Sequence, residues 1–190
     1  MHIWLDIDNS KHIAFYKEVI AELKQRGHKI IITALDTKEI KIALKENNIC
    51  ADFVNYVIPF IKNPSFDLIL LRTLALGERI KDRKINVGFS AWSLDTLYTC
   101  TSVQIPVITY LNNLGKKLDE THTWYDKSYL IVSPLIHDYE LIENNINLSK
   151  VKRCKRFSLK DLQYTQLKSI KEIVNGIEQL SNKLSTALVA

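Results

Sequence analysis

The residues best suited to chemistry gather in three short polar stretches. Asp6, Asp8, Asn9, Ser10 and His12 stand near the start, Ser90, Trp92, Ser93 and Asp95 further on, and Asn112 and Asn113 later still. Each stretch follows a short apolar run that reads as a β-strand, and an open parallel sheet binds ligands in the loops leaving the carboxyl ends of its strands. His12 is the candidate catalytic residue, because an imidazole beside a helix start can take a proton from a hydroxyl or donate to a phosphate. Its competing reading is a local cap or packing role. Asp8, Asn9, Ser10, Ser90, Ser93, Asn112 and Asn113 are candidates for ligand binding, through their side chains and through free amides at the neighbouring helix starts. Trp92 adds a ring able to stack a sugar or a base, or simply to pack. Asp6 and Asp8 are read as diverging to opposite faces of the extended segment, which sets aside a shared acid site. His122, between Glu120 and Trp124, reads as surface.

These residues need a scaffold, and hydrophobic periodicity supplies one. Ile3 to Ile7 is a short apolar run that suits a buried strand. Ile13, Tyr16, Val19, Ile20 and Leu23 then recur at helical spacing, with Ser10 as the expected cap and Gly27 as the stop. Lys29 to Ala34 returns as a β-branched strand, and Asp36 with Glu39 opens a helix carrying Ile40, Ala43 and Leu44. Phe53 to Ile58 is expected as the third strand, Pro64 to Lys84 as a helix and Ile85 to Phe89 as the fourth strand. A helix capped by Ser93 runs to Ser102, Pro106 to Leu111 is the fifth strand, and a helix over Lys116 to Tyr125 leads to a sixth at Tyr129 to Val132. A weak strand is expected near Val151. The fold class is therefore α/β: a Rossmann-like three-layer sandwich with a mostly parallel sheet of about six strands and right-handed crossovers. Residues 1–157 form this domain. Residues 158–190 read as one long amphipathic helix, from a capping box at Ser158 and Asp161 through Ile170, Ile173, Val174 and Ile177, which packs on the domain or on a partner.

Composition narrows the function classes. With 190 residues, 46% of them hydrophobic, the chain suits one globular domain. The first residues do not resemble a secretion signal, and no apolar stretch approaches the roughly 20 residues of a membrane span. Cys50, Cys100 and Cys154 are odd in number and far apart, so they give neither a disulfide framework nor a zinc pattern and read as reduced thiols. The expectation is a soluble, cytoplasmic protein with no metal. The five glycines form no dinucleotide or Walker loop, so no cofactor is expected. Lys150, Lys152, Arg153, Lys155, Arg156 and Lys160 make a basic stretch. It reads either as a solvated loop or as a contact for phosphate, a membrane surface or, least favoured, nucleic acid.

The run Ile3-Trp4-Leu5-Asp6-Ile7-Asp8-Asn9-Ser10-Lys11-His12, with Glu22 to His28 and Ile31-Ile32-Thr33-Ala34, resembles a prokaryotic family related to glycosyltransferases of the B fold. That family is similar to UDP-N-acetylglucosamine 2-epimerase and the lipid-linked N-acetylglucosaminyltransferases, which place two Rossmann-like domains across a cleft. The resemblance implies an N-terminal half, with His12 at the family's histidine and Ser93 at its helix-opening serine. It also implies a nucleotide-sugar or sugar-phosphate ligand, with most of the donor held by a second domain. The chain departs from the pattern at Leu35, where arginine is usual, and at Asn112 and Leu114, where an acidic pair is usual. Two functions stay open. One is a transferase-like half-enzyme completed by a partner chain or homodimer through the C-terminal helix; the other is a non-catalytic ligand- or protein-binding module with a degenerate site.

Overall fold

The computed structural model describes residues 1–55, 66–91, 93–111, 125, 127–133, 146–153 and 170–179. Among the described residues seven strands form one sheet: β1 (His2–Ile7), β2 (Lys29–Ala34), β3 (Asp52–Phe53), β4 (Val87–Ala91), β5 (Val107–Tyr110), β6 (Leu130–Ser133) and β7 (Val151–Arg153). Their order is β3-β2-β1-β4-β5-β6-β7, and every pairing is parallel. The chain thus winds outward twice from the middle, and the order reverses between β1 and β4. The α/β Rossmann-like reading holds, with the weak strand near Val151 as the seventh.

Helices cover both faces. α1 (Ile13–Gln25) and α2 (Lys38–Glu46) pack on one, through Phe15, Tyr16, Val19, Ile20, Leu23, Ile40 and Leu44 against Ile3, Leu5 and Ile7 of β1. α3 (Phe66–Ile80) and α4 (Leu94–Ser102) pack on the other, where Leu76, Ile80, Leu97 and Cys100 meet Trp4. β1 therefore alternates strictly: odd positions face α1, even positions face α3 and α4. A central parallel strand is buried on both sides, which is why its sequence is almost continuously apolar.

Local chemistry sets the element ends. α1 stops at Gly27, whose φ of 79° is strain-free only without a Cβ, and the His28 amide closes back on the Leu23 carbonyl. The expected cap Ser10 instead opens a 3₁₀ turn, Ser10–His12, and Asn9 Oδ1 accepts from the Lys11 amide. At α2 the cap is Thr37, accepting from the Ile40 amide, rather than Asp36 with Glu39. Ser93 caps α4 as expected, through the Thr96 amide at 3.3 Å. β4 sits two residues later than expected, because Lys84 adopts a left-handed φ of 46° and Asn86 is held by β1's first residue. The third strand is shorter than expected, and residues 56–58 of that expectation lie outside the described set. The helix expected over Lys116 to Tyr125 lies there too, apart from Tyr125.

Residues 170–179 are helical and are labelled α5 here. Ile170, Ile173, Val174 and Ile177 are buried in the cluster that α1 and β1 share. Arg26 fastens α5 by donating to Asn175 Oδ1 at 2.7 Å and Glu178 Oε2 at 2.7 Å, and His28 Nε2 lies 3.0 Å from Glu178 Oε1. The apolar stripe of this stretch therefore covers its own sheet. Truncating it should open a cavity: Ile173→Ala is expected to lose about 2–5 kcal/mol of stability, measured by equilibrium denaturation. An unchanged midpoint would contradict this packing.

Candidate functional site at the carboxyl ends of β1 and β4

The face of β1 turned toward α3 and α4 begins with Trp4 and continues to Asp6 and Asp8. Trp4 donates its indole N–H to Thr33 Oγ1 at 3.0 Å, and Thr33 donates in turn to Asp6 Oδ1 at 2.7 Å. Arg72 of α3 completes the carboxylate's shell with two parallel bonds, Nη1 to Oδ2 at 2.7 Å and Nη2 to Oδ1 at 3.0 Å. The same Nη1 donates to Asp95 Oδ2 of α4 at 2.6 Å, and Nε donates to the Val54 carbonyl at 3.3 Å. Asp6 and Arg72 have no solvent access and Asp95 almost none. Bidentate charge-assisted bonds of this kind are the strong ones, and here they join β1, β2, α3, α4 and the residue following β3.

Asp8 continues that face at the rim, where it is half-buried. The expectation that Asp6 and Asp8 diverge is therefore wrong: residues two apart on a strand share a face. Asp8 accepts a hydrogen bond from the Ser93 side chain, and its carboxyl is pushed up to about 7 by burial first and by the charges of Asp6 and Asp95, against the opposing pull of Arg72. Asp95 is pushed up to about 6, again by burial first, with Arg72 opposing and Asp6 adding. Tyr16 of α1 locks the two central strands together here, donating its hydroxyl to the Asp6 carbonyl at 3.0 Å and accepting from the Ala91 amide at 3.2 Å. Its own ionisation is pushed up by burial and then by the charge of Asp8.

His12 ends the 3₁₀ turn and occupies the N-cap position of α1, without a side-chain capping bond. It is half-buried, and burial, then the charge of Lys11, lowers its pKa. Both effects disfavour the imidazolium, and the neutral ring is the form that accepts a proton. Asn9 is exposed and Ser10 half-buried in the same turn, with Asn9 Oδ1 occupied by the Lys11 amide. Ser90, expected in a loop, lies within β4 with no solvent access, and its hydroxyl donates to the Ser93 carbonyl at 2.6 Å. The structure thus brings Asp8 and Ser93 into contact, sets His12 in the turn leaving the same strand, and uses Ser90 to shape the loop. Trp92, Asn112 and Asn113 lie outside the described residues. Among the described residues no group of three or more His, Cys, Asp or Glu could hold a metal ion.

Arg72 is the participant that pattern-based reading passed over. Its signal is chemical: a guanidinium inside the run Leu68-Ile69-Leu70-Leu71-Arg72-Thr73-Leu74-Ala75-Leu76 must find carboxylates if the helix is buried. Cys50 and Cys100 are free thiols; Cys100 is buried, and burial pushes its ionisation up, so it is an inert packing residue. A cavity of about 410 Å³ lined by Thr101, Gln104, Ile105, Lys127 and Tyr129 lies at the amino ends of β5 and β6, away from these groups.

A parallel sheet with order reversal between β1 and β4, and polar residues at that crest, defines a Rossmann-like α/β domain. The chain belongs to the family described as "Protein of unknown function (DUF354)", which matches residues 1–184. No curated protein matches the sequence. Among solved structures it is similar to the UDP-GlcNAc 2-epimerase of Methanocaldococcus jannaschii in complex with UDP-GlcNAc and UDP, at 15% identity and a TM-score of 0.66, covering 80% of this chain and 46% of that one. It is also similar to the MurG of Acinetobacter baumannii, at 15% identity and a TM-score of 0.60, covering 85% and 47%. A glycosyltransferase from Rickettsia africae ESF-5 matches at 17% identity and a TM-score of 0.59, covering 82% and 42%. The chain spans under half the length of these three structures, and at these identities the likeness shows the fold. No helix among the described residues is long and apolar enough to cross a membrane.

Two outcomes follow from the charge cluster. Asp6→Asn leaves the Arg72 guanidinium buried with one carboxylate fewer and should cost about 3–5 kcal/mol, read from chemical denaturation. A carboxyl raised in the folded state makes that state bind more protons than the unfolded chain, so its contribution to stability falls as pH rises from about 4 to about 7. Asp8→Asn removes that loss, and its stability relative to the parent should rise across this window and level off above it. A difference that stays flat with pH would contradict the assignment.

Proposed function

We propose that the chain is a glycosyltransferase-like half-enzyme that binds a sugar, nucleotide-sugar or phosphorylated acceptor in the crevice at the ends of β1 and β4, with His12 as its base. The observation that carries this reading is the meeting of Asp8, Ser93, the His12 turn and the starts of α1 and α4 at the point where strand order reverses, the position at which open α/β sheets take ligands. Ser93 and Asp8 offer a hydroxyl and a carboxyl to ligand hydroxyls, and a neutral imidazole accepts a proton. Two similar structures, the UDP-GlcNAc 2-epimerases of Neisseria meningitidis and M. jannaschii, are complexes with UDP-GlcNAc, which makes it the first ligand to test. In this reading the facing half of the cleft comes from a partner chain or a second copy. Residues 1–157 form the α/β body and 158–190 an amphipathic helix, and the free thiols of Cys50 and Cys100 suit a cytoplasmic setting.

A second reading, a binding module without turnover, draws on Leu35. It stands buried where the resemblance has a cation.

Ligand that binds only the folded state raises stability by about 2.7 kcal/mol at a hundredfold excess over Kd. A thermal-shift titration with UDP-GlcNAc, UDP and sugar phosphates should give a saturable rise for at least one of them, reduced in His12→Ala. No shift with any of them would overturn the proposal. A saturable rise without turnover, once the partner half is supplied, would favour the binding module.

A further inference from the structure

We propose that the cavity at the amino ends of β5 and β6 is a second ligand site, which takes a soluble phosphate monoester carrying a small apolar ring. It lies at the other end of the strands from the crest and does not depend on the sugar reading. Its volume of about 410 Å³ falls within the roughly 300–1,000 Å³ of small-molecule sites, which combine mostly apolar walls with a few polar groups that fix orientation. Here Ile105, Pro106 and Val107, at the start of β5, supply apolar surface, and the 45% exposed Tyr129 adds an aromatic ring. The charged groups on the lining are Lys127 and Lys150, and among the described residues no carboxylate joins them.

Both lysines stand on backbone that is tied down. Ser128, next to Lys127, donates its amide to the Tyr125 carbonyl at 3.0 Å and shares a hydroxyl hydrogen bond with Thr109 at 2.7 Å. Lys150 closes the 3₁₀ turn Leu148–Lys150, its amide on the Asn147 carbonyl at 3.0 Å and Asn147 Oδ1 accepting from the Ser149 amide at 2.9 Å. A cation near the carboxyl end of a helix can serve the helix instead of a ligand, and α4 ends here. Its last carbonyls are already occupied: Thr99 accepts from the Val103 amide at 3.1 Å, Cys100 from Ile105 at 2.8 Å and Thr101 from Gln104 at 3.4 Å. α4 is thus closed by its own backbone, and Lys127 enters no ion pair among the described residues. Gln104, also on the lining, holds a left-handed φ of 58° just past α4, where glycine is usual, so its side chain is present at a conformational cost of about 1–2 kcal/mol. A phosphate monoester, with a second pKa of about 6, is close to a dianion at neutral pH and matches two ammonium groups in charge, while its ring covers the apolar wall. This site also takes up the first member of the basic stretch Lys150 to Lys160, which the crest does not use.

The experiment is a backbone-amide chemical-shift titration of the full chain with phenyl phosphate, in parallel with inorganic phosphate, phenol and vesicles of anionic phospholipid. Phenyl phosphate should give saturable perturbations at residues 101–105 and 127–129, with an affinity above that of inorganic phosphate or phenol. Lys127→Gln, at an exposed side chain, should keep the fold and weaken that affinity about tenfold or more, as expected for the loss of one hydrogen bond to a charged group. No saturable perturbation at these residues, an affinity untouched by Lys127→Gln, or inorganic phosphate binding as tightly as phenyl phosphate would each overturn the proposal. So would cosedimentation with the vesicles, lost in Lys127→Gln, without any binding of phenyl phosphate, because the anion would then be a lipid headgroup. A failure here leaves the crest reading intact, since that reading is decided by the series with UDP-GlcNAc and His12→Ala.

Discussion

A guanidinium removed from water loses several kcal/mol of hydration, and only well-placed carboxylates recover it. Arg72 meets that demand with Asp6 and Asp95, and most of the crest of the sheet is arranged around the result. Asp6 is oriented by Thr33, which is oriented by Trp4; Asp95 is carried on the first turn of α4, which Ser93 caps; Val54 supplies the remaining acceptor. Four elements and the residue after β3 are thus tied together around one ion. Such clusters add little to stability over an apolar equivalent, because desolvation consumes most of the Coulombic gain. The apolar clusters on both faces hold the domain together, and the ion fixes how α3, α4 and β1 meet.

The same arrangement produces the chemistry of the rim. A single cation satisfied by two buried acids leaves a third, Asp8, in surroundings that favour its neutral form. In the turn that follows, burial and Lys11 lower the pKa of His12. Tyr16 ties the ends of β1 and β4 together at this point, so the crest where the strand order reverses is braced from both faces.

Much of the scaffold was legible in the sequence because its signals are local. The β-branched run at Ile30 to Thr33, the helical recurrence from Ile13 to Leu23 and the stop at Gly27 each act within a few residues. The cap of α2 was misplaced by one residue, at Thr37 rather than Asp36, and in place of Ser10 the 3₁₀ turn is capped by Asn9 while His12 stands at the N-cap of α1, since neighbouring Ser, Asn, Asp and Thr compete for the same role. The ion cluster was not legible by pattern, since Arg72 stands 66 residues from Asp6 and 23 from Asp95 and only the fold joins them. Asp6 and Asp8 should have been paired from the twofold repeat of a strand. His12, Ser93 and Asp8 were reachable because they follow strand ends, whereas Ser90 misled because β4 is displaced two residues toward the C-terminus of its apolar run.

Asp8, Ser93 and the turn that carries His12 stand along the carboxyl ends of the strands at the reversal point. A backbone-amide chemical-shift titration of the chain with UDP-GlcNAc would show directly whether ligand comes to those ends. Perturbations concentrated at residues 8–12 and 90–96 are the predicted result. Perturbations confined to the amino ends of β5 and β6, around Gln104, Lys127 and Tyr129, or none at saturating ligand, would contradict it.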